Sequence, residues 1–158
     1  MVKLLSTEGE VVETTMKCAL MCLTIKEMQD NLGGETGLTE VPVMNVSTKT
    51  LKKVVEWLEK WQDKLQPTLE EVKEKTSETI DAWDQDYLNV DLQDLYALIA
   101  ASNYLDIPGL LWLTTREIAY KIKGKSAVEV REFFNIQDDW TPEDLEAVKR
   151  ENQWCEEK

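Results

Sequence analysis

Val2-Lys3-Leu4-Leu5-Ser6, Thr7-Glu8-Gly9 and Glu10-Val11-Val12-Glu13 follow one another at the start of the chain. They read as strand, tight turn and strand, with Gly9 supplying the positive φ that such a hairpin needs. Beyond the hairpin the hydrophobic period changes. Met16 to Cys22 is apolar enough for a short buried helix. Thr24-Ile25-Lys26-Glu27 has the form of a capping box, with threonine as N-cap and glutamate three residues on. It predicts a helix with Ile25, Met28 and Leu32 on one side, stopped at Gly33-Gly34. Val41-Pro42-Val43 is a short third strand, kept to a sheet edge by Pro42.

The rest reads as helical. From Thr48 to Trp61 the apolar residues Leu51, Val54, Val55, Leu58 and Trp61 recur at i, i+3, i+4, i+7 and i+10, the period of an amphipathic helix. Residues 66–81 contain Pro67, many charges and few apolar groups, and are expected to form an exposed, largely unstructured loop. Leu92 to Ala101 is apolar on nearly every side and predicts a central buried helix. Pro108 suits the first turn of the next helix, which carries Leu111, Leu113, Ile118 and Ile122 and ends at Lys121, Lys123 and Gly124. Ser126-Ala127-Val128-Glu129 is a second capping box, for a helix ending near Phe133-Phe134. Thr141-Pro142-Glu143-Asp144 opens the last helix with an N-cap, an N1 proline and an acidic first turn, and Leu145 and Val148 continue toward Trp154 and Cys155. Strands early and helices late make the class α+β.

Composition limits the chemistry. The 158 residues are 42% apolar and 31% charged, with a net charge of -13 and a pI near 4.5. Such a surface repels a phosphate backbone, so nucleic acid is not expected as a partner. No stretch is apolar enough for a membrane span, and the N-terminus lacks a signal-peptide core. The expected location is cytoplasm and nucleus. Three cysteines without secretory context read as reduced thiols. With no histidine, Ser-His-Asp and Cys-His sites and His-bearing zinc sites are excluded. The expectation is a chain that is not an enzyme, with no cofactor, no metal and no small-molecule substrate.

Three constellations have ordinary explanations. Asp84-Gln85-Asp86 with Asn89 and Asp91 fails as a calcium loop, because Leu88 takes the fifth position and Asn89 stands where glycine is required. These acids read instead as solvated helix-end groups. Cys18 and Cys22 read as buried small hydrophobes rather than half a metal site. Trp57 and Trp61 read as core or groove lining. The last helices differ: Phe133, Phe134, Trp140 and Trp154 sit on short helical units in an acidic background. So much aromatic surface marks a partner site. Val148, Asn152 and Trp154 need an apolar surface from outside the chain, and tryptophan is enriched at interface hot spots.

Trp83-Asp84-Gln85-Asp86-Tyr87-Leu88, Ala101-Ser102-Asn103-Tyr104-Leu105-Asp106-Ile107, Ile122-Lys123-Gly124-Lys125, Phe134-Asn135-Ile136 and the terminal Glu151-Asn152-Gln153-Trp154-Cys155-Glu156-Glu157-Lys158 closely resemble the S-phase kinase-associated (Skp) family. The resemblance also takes in the hairpin, Thr24-Ile25-Lys26, Asn45-Val46 and Leu51-Lys52-Lys53-Val54. It implies a POZ (BTB-like) α/β domain over residues 1–124 and a C-terminal helical extension over 125–158. It further implies a non-catalytic adaptor that links F-box substrate receptors to a cullin in an SCF-type ubiquitin ligase, for ubiquitin-dependent degradation. Carried over by position, Asn103 and Tyr104 fall at the cullin contact. Phe134, Asn135, Ile136, Asn152 and Trp154 fall at the F-box contact, and Val148 is grouped with them. Pro108 and Trp112 stand where the family usually has a lysine and an acid. Met44 replaces a proline, and Thr14 to Leu23 is more apolar than usual. The alternative is a POZ-type homodimeric scaffold acting without a cullin, which would need a self-complementary apolar surface on the POZ half.

Overall fold

The computed structural model describes residues 1–31, 39–64, 80–137 and 140–156. The Gly33-Gly34 stop, Leu32 and residues 66–79 of the expected loop lie outside the described residues. The chain divides into two compact units, Met1–Tyr120 and Lys121–Lys158.

In the first unit, β1 (Val2–Leu5) pairs antiparallel with β2 (Val11–Thr14), and β3 (Glu40–Pro42) runs parallel to β1, giving the order β2-β1-β3. Gly9 has φ +80° in the hairpin turn, and Pro42 is on an edge strand, where its missing N–H breaks no ladder. Alternation sends Val2, Leu4, Val12 and Val41 inward. Beside the sheet lie α1 (Met16–Ala19), α2 (Leu23–Asn31) and α3 (Thr48–Trp61), and α3 packs on β2 and α1. Helix α3 has the sequence-derived limits, because its apolar stripe and the Ser47 cap agree on where it begins. Its buried Leu51, Val54, Val55, Trp57 and Leu58 form the middle of the core. Each such side chain contributes about 1.5–3 kcal/mol by leaving water.

The hairpin turn is tied to the start of α3. Ser6 Oγ and Thr48 Oγ1 are 2.8 Å apart, and the Glu8 carboxylate accepts both the Thr48 N–H, at 2.5 Å, and the Thr48 hydroxyl. The Thr48 hydroxyl and then its N–H hold the Glu8 carboxyl below its usual pKa, at the positive end of the helix dipole.

Helices α4 (Ala82–Tyr87), α5 (Leu92–Tyr104) and α6 (Pro108–Ile122) follow. Pro108 occupies the first helical position of α6, where a missing N–H costs nothing. The second unit holds α7 (Ala127–Phe133), α8 (Pro142–Glu151) and α9 (Gln153–Glu156).

Several sequence expectations need correction. Thr24 is not an N-cap: α2 begins at Leu23, and the Thr24 hydroxyl instead donates to the Tyr104 carbonyl at 3.2 Å. The hydroxyl that would have accepted a local N–H as a cap donates instead to a carbonyl distant in sequence. Met28 does not join Ile25 on the core side but is 39% exposed. Helix α5 is not buried all round: Leu95, Leu98, Ala101 and Ser102 face the core, while Tyr96, Ala100 and Asn103 are exposed at i, i+4 and i+7. The loop reading stops short of residue 81, since Ile80 packs on the core and Asp81 caps α4. Asp84 is not solvated. It is buried, accepts the Trp61 indole N–H at 3.0 Å, and has its pKa raised by burial despite that bond. Its neighbours stack around it, with Trp83 on Tyr87 at 5.2 Å and the Lys64 ammonium 4.0 Å from the Trp61 ring. The Tyr87 hydroxyl donates to the Lys53 carbonyl at 2.8 Å, which fastens α4 to α3.

Cys18 and Cys22 are buried and free. Burial, with Cys18 close by, pushes the Cys22 thiol up to about 12, so it remains protonated and inert as a small hydrophobe.

Candidate functional site

One candidate surface lies where α5 ends. In Asn103-Tyr104-Leu105-Asp106-Ile107 the apolar members are anchors: Leu105 and Ile107 are 2% and 0% exposed. Asp106 turns the chain with φ +50°, and the Ile107 N–H returns to the Ser102 carbonyl at 2.9 Å. The Leu23 N–H bonds the Asp106 carbonyl at 3.1 Å, beside the Thr24 bond to Tyr104. This backbone is held from two elements, so Asn103 and Tyr104 stand outward on a rigid support, Tyr104 at 36% exposure. Sequence reasoning named these two consecutive residues through the resemblance. It missed exposed Leu23 beside them and Tyr96 along the same helix. The apolar composition of α5 conceals the exposed stripe that carries Tyr96, and a cap at Thr24 places Leu23 outside the helix, whereas α2 begins at Leu23.

Pro108 is buried and Trp112 is half-buried against the core, with the Arg116 guanidinium 5.1 Å from its ring. Both departures from the usual family residues act as packing groups.

The second surface is built in Lys121–Lys158. Ser126 and Glu129 form the anticipated capping box on α7, and the Glu129 carboxylate, held by the Ser126 N–H and hydroxyl, is kept below its usual pKa. Phe133 and Phe134 meet edge to face at 5.0 Å. Asn135 then takes φ +51°, a conformation asparagine tolerates. The Asn135 N–H reaches the Glu132 carbonyl at 3.1 Å, and that of Ile136 reaches Arg131 at 2.9 Å. The tight turn leaves Ile136 56% exposed.

Thr141 caps α8, with Pro142 in its first turn and the Asp144 carboxylate bonded back to the Thr141 N–H at 3.0 Å and to its hydroxyl at 2.6 Å. At the other end Asn152 closes α8: its backbone N–H and its side-chain amide each reach the Val148 carbonyl at 3.0 Å. Trp154 follows on α9, 77% exposed. Phe134, Asn135 and Ile136 form one turn, and Val148 and Asn152 are joined by hydrogen bonds. A groove of about 430 Å³ lies along α8, lined by Trp140, Asp144, Ala147, Val148 and Glu151. Among its described residues the second unit has none that is fully buried.

Among the described residues no group of three or more potential ligands is arranged to hold a metal ion, and no helix is long and apolar enough to cross a membrane.

Two profiles match the chain: the Skp1 family tetramerisation domain over residues 1–63 and the Skp1 family dimerisation domain over residues 108–155. The E3 ubiquitin ligase complex SCF subunit sconC of Arthroderma benhamiae is 39% identical, across 99% of this chain and 95% of that protein. The chain belongs to the Skp1 family. The SCF ubiquitin ligase complex protein SKP1a of Dictyostelium discoideum is 38% identical across 100% of this chain and 97% of its own, and its SKP1b is equally similar. Membership of the Skp1 family fits the mixed sheet and helices of the first unit and the helical C-terminus. Members of the Skp1 family are not enzymes, and neither is this chain.

Proposed function

We propose that this Skp1-family chain is an adaptor subunit of an SCF-type ubiquitin ligase, joining F-box substrate receptors to a cullin for ubiquitin-dependent degradation. The relatives named as SCF subunits align with it from end to end, which supports the coarse role. The observation that carries the finer reading is the state of the last helices. Their caps are complete, yet no described residue there is fully buried, and Ile136, Trp140 and Trp154 are exposed. A helical unit without a core of its own gains most of its stability from packing, and a partner supplies that packing. In this reading Phe134, Asn135, Ile136, Val148, Asn152 and Trp154 meet the F-box. Asn103 and Tyr104 meet the cullin. The functional boundary falls at Gly124, with residues 1–124 for the cullin and 125–158 for the F-box. Work in cytoplasm and nucleus accords with two buried free thiols.

The test is reconstitution with a recombinant F-box domain and the N-terminal helices of a cullin. The intact chain should hold both at once. Removing residues 135–158 should abolish F-box binding while the remaining part still binds the cullin. A truncated chain that keeps its F-box affinity refutes the assignment.

A further inference from the structure

We propose that the groove along α8 seats an arginine side chain of the F-box receptor, its stem on Ala147 and Val148 and its guanidinium at Glu151. The inference rests on the F-box reading of this half and adds the chemistry of one contact. Asp144, Ala147, Val148 and Glu151 stand at i, i+3, i+4 and i+7, so they share one face of α8. That face presents a carboxylate, a small apolar floor and a second carboxylate, roughly 10 Å apart along the axis at a rise of about 1.5 Å per residue. Trp140 forms the wall of the groove.

The helix's own cations do not serve this face. Lys149 and Arg150 lie more than a quarter turn from Glu151 by helical periodicity. Neither Asp144 nor Glu151 forms an ion pair among the described residues. Asp144 is committed to Thr141, whose hydroxyl and N–H keep its carboxyl ionised to lower pH than usual. Glu151 is therefore the carboxylate available to a new donor. The floor is apolar and the ends are anionic, so the complementary group has a long apolar stem and a cationic tip. Arginine fits better than lysine, since a planar guanidinium pairs with a carboxylate through two parallel hydrogen bonds. The Trp140 ring already has the Arg131 guanidinium 5.6 Å from it, which leaves Glu151 as the place for an incoming cationic tip. The net charge of -13 draws a basic segment toward the chain.

The experiment is calorimetric titration of the full-length chain with a recombinant F-box domain at several salt concentrations. Glu151→Gln should weaken binding about three- to tenfold at low salt and flatten the salt dependence, whereas Glu146→Gln, on the far side of α8, should change neither. Ala147→Trp, which fills the groove, should weaken binding at every salt concentration. Replacing the arginines of the F-box domain one at a time by methionine should reveal one position whose loss matches Glu151→Gln and adds nothing to it. Circular dichroism of each variant confirms that α8 is intact. Equal affinities for Glu151→Gln and Glu146→Gln overturn the inference while the F-box reading stands. Self-association that Ala147→Trp abolishes, seen by sedimentation, also overturns it, because the groove then holds a second copy. No binding by the folded wild-type chain overturns both.

Discussion

Trp154→Ala separates a partner contact from a structural role. The side chain is 77% exposed in the chain alone, so of the roughly 250 Å² a tryptophan can bury, about 190 Å² remain uncovered. At ~25 cal/mol/Å², covering that area is worth at most about 5 kcal/mol. Immobilising the side chain and ordering the short helices around it offset part of this, and a net contribution of ~1–3 kcal/mol to F-box binding remains. In the free chain the same truncation removes little contact, and unfolding free energy should change by under about 0.5 kcal/mol. Calorimetry with an F-box domain gives the first quantity and denaturant unfolding gives the second. A variant that binds as well as wild type refutes the hot-spot assignment. One that unfolds several kcal/mol more easily shows that Trp154 is packed within the chain, and the exposure argument fails.

Asn103→Ala with Tyr104→Ala should weaken cullin binding by ~2 kcal/mol or more without altering F-box affinity. Parallel titrations with the two partners check it, and equal losses would indicate misfolding instead. Asp84→Ala should cost ~1–3 kcal/mol of stability by leaving the Trp61 indole N–H unpaired. Asp84→Asn keeps an acceptor and should be tolerated at neutral pH. Because folding raises the Asp84 pKa above its ordinary 3.8, its contribution to stability is fully present below that value and is lost as pH rises through the raised one. Denaturant midpoints at acidic and neutral pH should therefore differ less for Asp84→Asn than for wild type; identical pH profiles would show that Asp84 is not the titrating group. Amide exchange after Phe134 should be fast in the free chain and slow on F-box binding, since capped helices without buried residues open readily.

Much of the fold was legible because its signals are local. Helix α3 is written in the recurrence of Leu51, Val54, Val55 and Leu58, and the caps at Ser126 and Thr141 lie within one turn of the groups they satisfy. The Asn103–Tyr104 surface was located through resemblance, while the anchoring by Leu105 and Ile107 that holds it outward is a property of the packed chain. The α8 groove left a weaker trace. Its spacing is plain in the sequence, but Trp140 joins it from outside the helix.

What the sequence determined by itself is what neighbouring residues decide between them: the hairpin turn at Gly9, the amphipathic stripe of α3 and the helix caps at Ser126 and Thr141. Tertiary structure decided the cases in which one group had two suitors. Thr24 could cap its own helix or reach Tyr104, and Asp84 could face water or accept from Trp61. In each case the long-range partner won. The core brings it within hydrogen-bonding distance at an entropic cost already met by apolar burial elsewhere, and no local pattern records that proximity.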